Sequence, residues 1–578
     1  MDFGMDVRLE QPALAQGATV TTRGRGSILS QVVRSSAGQH AIVAKVTGKG
    51  IHVSSQASRL TIRSGKQADF CIFLALARGD DSARDATLRI KDAQRVGFAA
   101  IKRRHQQWWR RFWNASSIRI PDQRMLRQYH FGLYLLGSSS RQGFQMPGLQ
   151  GLWYTRAPGT KWNEYTNDLN IQMNYWPIYT SNHLDLGWPY YDTVRRWLPE
   201  ARKYTRGYWR CSGVQFSCCA SPTGIVPPGY LTTMHWAGSA AFVAQNFWTH
   251  YLYSRDEDFL REIAYPFLKE CAEFYIDFLK LDERGLYEIW PSNNPEASEG
   301  SYEAWGKNPT MDIALLKMLF HAILESAKLL AIDRDVAVKC QKRLDRLPPY
   351  PMRRGALIDM ESKEFVYSHR HNGMITPIYP CADVDGKVAE KTIERFMERG
   401  RWLWGCHTVP WQAAAYARIG GGKKAYELLA EMFESYFPPH GGFNLNYNYQ
   451  RRVDGIIGPA VFCNESNSGF CAALLEMLLQ SHRGIIRVFP AVPRDWKDIA
   501  IKNLRAEGAF LISATRGNGH TSQVEICSTK GGILRVKNPW RTLPNVVCGG
   551  KTVNILRKRD VLIWETKPES SYLLQPHI

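Results

Sequence analysis

The chain has 578 residues, 44% hydrophobic and 22% charged, an ordinary globular composition with length enough for one large core or several smaller ones, which excludes disordered and fibrous classes. No apolar run approaches the roughly 18 residues that span a bilayer, the longest resembling Cys71-Ile72-Phe73-Leu74-Ala75-Leu76-Ala77, so no membrane partner is expected. Seventy-four basic against 53 acidic residues leave a net charge of +21, which raises nucleic acid or acidic polysaccharide as partners. The bases are dispersed, however, and no nucleic-acid-binding module accompanies them, so a nucleic-acid role is not expected.

The opening Met1-Asp2-Phe3-Gly4-Met5-Asp6 carries acids where a secretory signal has a basic head and an apolar stretch, so no export address is expected in the chain as given. Residues 17–80 alternate apolar and polar positions, as in Ala41-Ile42-Val43-Ala44-Lys45-Val46, and are read as strands. From about Ala83 the period turns helical. The densest basic cluster, Lys102-Arg103-Arg104 with Arg110-Arg111, surrounds Trp108, Trp109 and Trp113 on one amphipathic helix and is read as a solvated face.

Pro121 opens a long helical region. In 254–285, Ser254 and Glu257 form a capping box, and Leu260, Ile263, Phe267, Cys271, Phe274, Tyr275 and Phe278 recur at helical spacing. Pro266 is expected to bend or split this helix, and Gly285 to stop it. A second helix runs from Thr310 through Leu330, and a third starts after Ser468 and carries Leu474, Leu475, Met477 and Leu478 towards Gly484. Helices joined by long loops rich in Trp, Asn, Gly and Pro predict a helical toroid rather than a tight-turn bundle, with the site in the loops. After Pro490 and Pro493 strands return, at 510–513, 523–526, 533–536 and 561–564, with turns at Gly517-Asn518-Gly519 and Gly549-Gly550, and a C-terminal β-sandwich is expected.

The stretch from Asn163 to Pro177 holds Glu164, Asn167, Asp168, Asn170, Gln172, Asn174 and Trp176, and follows Gln150 and Trp153. Side-chain amides present a donor and an acceptor side by side, suited to vicinal sugar hydroxyls, while Trp and Tyr faces stack on a pyranose. The alternative is an asparagine-rich loop satisfying its own backbone. Trp290-Pro291-Ser292-Asn293-Asn294-Pro295-Glu296 places a carboxyl beside tryptophans whose desolvation would raise it towards a general acid's working range; the alternative is a solvated loop glutamate. Cys463-Asn464-Glu465-Ser466-Asn467 offers a carboxylate oriented by Asn464 near a helix N-terminus and fit to activate water, or else a capping cluster. Two carboxylates with water between them suffice for inverting glycoside hydrolysis. Ser368-His369-Arg370-His371-Asn372 is suited to gripping hydroxyls, or else is a metal or purely structural cluster, and Met234-His235-Trp236 is suited to stacking. Twelve scattered cysteines make no CxxC pair, and the histidines have no HExxH spacing, so no metal and no cofactor are expected.

These motifs resemble glycoside hydrolase family 95. Pro147-Gly148-Leu149-Gln150-Gly151-Leu152-Trp153, Asn170-Ile171-Gln172-Met173-Asn174-Tyr175-Trp176, Pro291 to Glu296, Pro309-Thr310-Met311-Asp312, His369-Arg370-His371 and Glu476 to His482 stand in the family's order over roughly residues 100–515. The family contains inverting α-L-fucosidases and α-L-galactosidases. The resemblance implies a mainly α chain with β flanks: a partial N-terminal β-sandwich (1–90), a helical linker (91–121), an (α/α)6 toroid catalytic domain (122–484) and a C-terminal β-sandwich domain (485–578). It implies Glu296 as general acid, Asn170 as a water-positioning residue, Arg370 and His371 as a substrate grip, and Trp236 as a stacking residue. The chain departs from the family in having Asp168 for the first asparagine of the pair, Thr166 for a histidine, and Glu465 where the supporting aspartate stands; 213–219 replaces a His-His-Asn-Thr-Asp region. A longer carboxylate at 465 reaches water directly, which makes Glu465 the expected base.

The expected activity is therefore inverting exo-glycosidic hydrolysis of terminal α-L-fucosyl or α-L-galactosyl residues on an oligo- or polysaccharide. Glu296, Glu465, Asn170 and Asp168 would act in catalysis, and Trp153, Trp176, His235, Trp236, Trp290, Arg370, His371 and Asn464 would bind substrate. The competing expectation is a relative that binds glycans without cleaving them.

Overall fold

The computed structural model describes residues 3–9, 19–35, 38–56, 58–152, 164–226, 235–295, 305–361, 363–366, 368–401, 403–436, 442–443 and 462–576. The described chain is mainly helical, with β regions at both ends, and divides into two compact units, 1–114 and 115–578.

In the first unit, strands β1 (Phe3–Arg8), β2 (Thr19–Arg25), β3 (Ile28–Ser35), β4 (Gly38–Gln56) and β5 (Arg59–Arg78) form one antiparallel sheet in the order β1-β5-β4-β3-β2. Alternation sends successive residues of β4 to opposite faces. Ala44 and Val46 pack with Leu29, Leu60 and Ile62, while Val43 packs with Ala77 and with Ala86 and Ile90 of helix α1 (Ser82–Val96). Among the described residues this unit has one sheet, with a helix on one face, where a second sheet would make a sandwich. Gly97, at φ +80, ends α1 and donates its N–H back to Ala93 O, a conformation open to glycine. Helix α2 (Phe98–Asn114) carries the basic and tryptophan-rich stretch, with Trp108 stacked on Phe112 and Trp109 on Trp113.

In the second unit, strand β6 (Ser117–Arg119), which the sequence reading placed in a helical linker, pairs instead with a strand almost 400 positions later. The helices that follow are α3 (Gln123–Ser139), α4 (Asn170–Thr180), α5 (Trp188–Tyr204), α6 (Ser239–Ser254), α7 (Glu257–Phe259), α8 (Tyr265–Phe278), α9 (Thr310–Leu330), α10 (Arg334–Leu344), α11 (Gly386–Glu398), α12 (Thr408–Arg418), α13 (Gly422–Ser435) and α14 (Asn464–Leu478). They fall into two sets by side-chain pattern. Every residue of α4 and α14 is buried, α6 and α12 are nearly so, and α9 is wholly buried over Thr310–Leu316, whereas α11 buries only Ala389, Thr392, Ile393 and Phe396, one stripe of a helix with a solvated face. A helix with no solvated face must be surrounded. Accordingly α4 packs between α14 and α6, α6 against α9, α9 against the 373–375 turn, and α12 against α14. Gly469 of α14 sits where a Cβ would press on Met173 of α4 and Pro410 of α12, so glycine sets that close approach.

Several helix boundaries differ from the sequence reading: the helix expected to run to Gly285 stops at Phe278, Gly285 lying instead in the turn between the paired stretches 280–281 and 287–288, and the helix expected to run to Gly484 stops at Leu478. Asp256, not Ser254, caps the 257–278 segment, its carboxylate accepting from Phe259 N, because Ser254 is still the last residue of α6. Pro266 falls in the first turn of α8, where its missing N–H costs nothing, and the break with α7 is a π-helical stretch, Leu260–Ala264. Helix α14 begins at Asn464 rather than after Ser468. Asn467 makes the earlier start possible: its Nδ2 donates to Cys463 O at 2.7 Å, and its Oδ1 accepts from Phe443 N and Gln128 Nε2.

The C-terminal strands are β7 (Ile499–Ala506), β8 (Phe510–Gly517), β9 (His520–Ser528), β10 (Gly532–Lys537), β11 (Asn545–Cys548), β12 (Lys551–Thr552), β13 (Leu556–Lys558), β14 (Val561–Thr566) and β15 (Ser570–Gln575). They form a seven-stranded sheet, β12-β11-β15-β9-β8-β7-β6, and a three-stranded sheet, β10-β14-β13. Trp564 of β14 meets Tyr572 of β15 at a ring separation of 5.9 Å.

Candidate active site

The N-terminal ends of the buried helices converge, and the polar residues singled out in the sequence lie at those ends. Tyr165-Thr166 pairs antiparallel with Cys219-Ala220, Asn167 donates its backbone N–H to Cys218 O, and its side-chain amide bonds Ser217 O. Asp168 is thereby held against the start of α4, fully buried. The 213–219 segment does structural work: Gln215 Oε1 accepts from Phe216 N and from Ala240 N in the first turn of α6, and its Nε2 donates to Ala237 O.

Asn170, in the first turn of α4, donates its side-chain N–H to Oε1 of Glu465, in the first turn of α14, at 2.5 Å. Glu465 is fully buried, and its Oε2 has no hydrogen-bond partner among the described residues. Burial pushes its carboxyl above the usual carboxylate range, while hydrogen bonds from Cys463 and Asn170 pull it back down. Next to this pair, His371 Nε2 lies 3.6 Å from Asp168 Oδ2, with both side chains buried. Burial, reinforced by the Arg370 charge, holds His371 well below the ordinary imidazole range. The His371 ring is 5.4 Å from His407, which adjoins Glu465 and Cys463. Asp168, Asn170, Glu465, His371 and His407 thus make one contiguous buried cluster drawn from four separate stretches of chain. Arg370 is fixed beside it through its carbonyl, which accepts from Thr408 Oγ1 at 2.9 Å. The Asn464 and Asn372 amides are buried, with no hydrogen-bond partners among the described residues. Buried amides in that state suit a ligand bearing several hydroxyls.

A second acid organises the neighbouring wall. Asp312, in the first turn of α9, accepts from Trp236 Nε1 at 2.6 Å and from Ser292 Oγ at 2.5 Å. Burial pushes its carboxyl up to about 7, against the pull of those two hydrogen bonds. Ser292-Asn293 pairs antiparallel with Trp305-Gly306, so Asp312 anchors the base of the loop between them. Asn294 packs its side chain against Gly373, where any Cβ would collide with it.

Of the residues expected to bind substrate, His371 and Asn464 belong to this cluster and Arg370 to its edge. Trp236 does not present a face for stacking: it is fully buried and its indole is tied to Asp312. Trp176 is six residues along α4 from Asn170, a rise of about 9 Å. Its Nε1 donates to Gln245, and it lines a cavity of about 280 Å³ with Tyr253, Tyr379 and Arg418 near the C-terminal ends of the same helices. The burial of α4 on every side puts Trp176 in the core, a placement invisible to motif reading. His235 is half-buried, bonded through Nδ1 to Tyr204 OH at 2.7 Å and stacked on Tyr208. Trp290 is 45% exposed, just before a cis Trp290-Pro291 bond. Glu296 and Trp153 lie outside the described residues. Sequence reasoning missed the roles of Asp312, His407 and Cys463. Asp312 had a signal, an acid in the turn after Pro309, and Cys463 had one in standing two residues before Glu465; His407 had none, since only folding brings it to Glu465.

The model of the glycosyl hydrolase family 95 catalytic domain matches residues 98–478, and that of the glycoside hydrolase family 95 C-terminal domain matches residues 480–574. Alpha-L-fucosidase 2 of Arabidopsis thaliana is 26% identical over 480 residues, covering 75% of this chain and 56% of that protein. A probable alpha-fucosidase A of Aspergillus niger is 23% identical over 492 residues, covering 73% and 58%. A kojibiose hydrolase of Flavobacterium johnsoniae is 26% identical over 240 residues, covering 39% and 33%. The chain spans a little over half the length of the two fucosidases. Among solved structures, a putative kojibiose phosphorylase from human microbiome matches in fold with a TM-score of 0.65 at 13% identity, covering 98% of this chain and 78% of that one. With the two family matches together spanning most of its length, the chain belongs to glycoside hydrolase family 95.

Proposed function

We propose that the protein is an inverting exo-glycosidase that removes terminal α-L-fucosyl or α-L-galactosyl residues, with residues 122–484 as an (α/α)6 toroid catalytic domain flanked by β-sandwich domains. The observation that carries this reading is the buried Asn170–Glu465 pair beside Asp168 and His371. Glu296 protonates the glycosidic oxygen as the bond to the anomeric carbon breaks. A water that has lost its proton to Glu465 attacks that carbon from the opposite face, and the configuration inverts. Asn170 orients the Glu465 carboxylate and favours its charged form, as the base must be ionised to accept a proton. Asp168, Arg370, His371 and Asn464 hold sugar hydroxyls. His371, kept neutral, donates from one ring nitrogen and accepts at the other. The fucosidase relatives support the choice of sugar.

The test is proton NMR of the anomer released first from α-L-fucosyl and α-L-galactosyl oligosaccharides, with Glu296→Gln alongside. Initial β-sugar from the wild type, lost in the variant, is the expected result. Initial α-sugar overturns the inverting mechanism. Kojibiose joins the panel because two relatives are kojibiose hydrolases; turnover of kojibiose alone would move the substrate to that class. Saturable glycan binding without turnover, equal in both proteins, would replace hydrolysis with a binding role.

A further inference from the structure

Three donors of different chemistry meet beside the Asn170–Glu465 pair. His407 precedes α12, Cys463 precedes α14, and Glu465 lies in the first turn of α14. One ligating atom from each, an imidazole nitrogen, the Cys463 Sγ and a carboxylate oxygen, lie within 4.8 Å of one another, and all three residues are buried. Asn170 occupies Oε1 of Glu465, while Oε2 has no hydrogen-bond partner among the described residues. Around a tetrahedral zinc ion, with sulfur at about 2.3 Å and nitrogen and oxygen at about 2.0 Å, ligand atoms stand roughly 3.5 Å apart. The three donors are therefore about 1 Å from a coordinating arrangement. Thiolate with imidazole and carboxylate selects zinc-like ions over magnesium or calcium, and three protein ligands leave a fourth position for water.

We propose that His407, Cys463 and Glu465 form a binding site for a thiophilic divalent cation of the zinc type, and that its occupation inhibits the enzyme by taking Glu465 away from the water it activates. The inhibitory half rests on the reading of Glu465 as base; the binding half does not. Binding releases the Cys463 thiol proton to solvent, while His407 binds as neutral imidazole and Glu465 as carboxylate.

The experiment uses the full chain, stripped with a chelator, in two arms. In the first, Co²⁺ is titrated and thiolate-to-cobalt charge transfer is followed in the near ultraviolet, a readout that needs no turnover. One ion per chain, displaced by Zn²⁺, is expected, with the band absent in Cys463→Ser and affinity at least about 10-fold weaker in His407→Gln, the ligand set having lost one member. No band in the wild type, or the same band in a Cys463→Ser protein of native circular dichroism, overturns the site. Should Cys463→Ser not fold, unchanged affinity in His407→Gln overturns it instead. In the second arm, Zn²⁺ suppresses hydrolysis by the wild type, a chelator restores it, and Cys463→Ser resists Zn²⁺ relative to its own metal-free rate. Unchanged or stimulated turnover with Zn²⁺ bound overturns the inhibitory half. Full activity of metal-free Glu465→Gln would instead mean that the base assignment has failed, and the cobalt arm would still decide the site.

Discussion

The side-chain amide of Asn170 donates to Oε1 of Glu465 across 295 positions of sequence, joining the first turns of two helices that are buried along their whole length. A carboxylate buried there is both oriented and kept available to accept a proton. Glu465→Gln is accordingly expected to lower kcat by about 10³-fold, within the usual range for a general base. Asn170→Ala removes the hydrogen bond that lowers the Glu465 pKa, so kcat should fall and the acid limb of its pH profile should move to higher pH. Steady-state kinetics from pH 4 to 8 with chelator present measures both. An acid limb that does not move in Asn170→Ala contradicts the pairing.

Asp312 couples stability to pH. Its folded pKa, about 7, lies above the ordinary aspartate value of about 3.9, so the folded state favours the protonated form. The stabilisation is complete below about pH 4 and is lost as pH rises through 7, by roughly 4 kcal/mol in all, from about 3 units at 1.36 kcal/mol each. Asp312→Asn mimics the protonated carboxyl and has no such dependence. Urea denaturation at pH 5 and pH 8 should therefore show the wild type losing stability relative to the variant at the higher pH. Parallel behaviour of the two proteins would show that Asp312 does not titrate in this window.

Trp236→Phe separates a structural from a stacking role. The indole N–H lost is the one that Asp312 Oδ1 accepts, so a destabilisation of about 1–3 kcal/mol is expected from the unpaired buried acceptor. Substrate affinity per folded molecule should change by less than about 2-fold, because the ring is fully buried. A large rise in KM with stability unchanged would restore the stacking role.

Arg418 and Glu476 form a bidentate buried ion pair, Nε to Oε2 at 2.6 Å and Nη2 to Oε1 at 2.9 Å, lining the cavity at the C-terminal ends of the helices. Glu476→Ala leaves the guanidinium buried and unpaired over the Tyr379 ring, at an expected cost of about 3–5 kcal/mol. Thermal denaturation measures it. The specific activity of the folded fraction should remain, since the pair is remote from Glu465.

Much of this was legible in the sequence because it depends on local periodicity and chain order. The strand-to-helix change near residue 82, the 310–330 helix and the C-terminal strands follow from side-chain periodicity, two residues in strands and three to four in helices, which any short window shows. The family was legible too, from motifs standing in a characteristic order. The start of α14 was not, since Asn467, inside its first turns, is held by Phe443 and Gln128, both distant in sequence. Nor was the pairing of residues 117–119 with the C-terminal sheet.

For the site, the sequence by itself determined which chemical groups were present: amides at 170 and 464, carboxylates at 168 and 465, and a basic and an imidazole group at 370 and 371. Tertiary structure alone decided which of them meet. It put Asn170 on Glu465 and His371 beside Asp168, and turned Trp236 inward to Asp312. It also put Trp176 in the helix core and brought His407 to Cys463 and Glu465. The physical reason is that a helix with no solvated face can bury its surface only by being surrounded. The partners of the groups at its end are then chosen by which other helices close around it, and no local pattern encodes that choice.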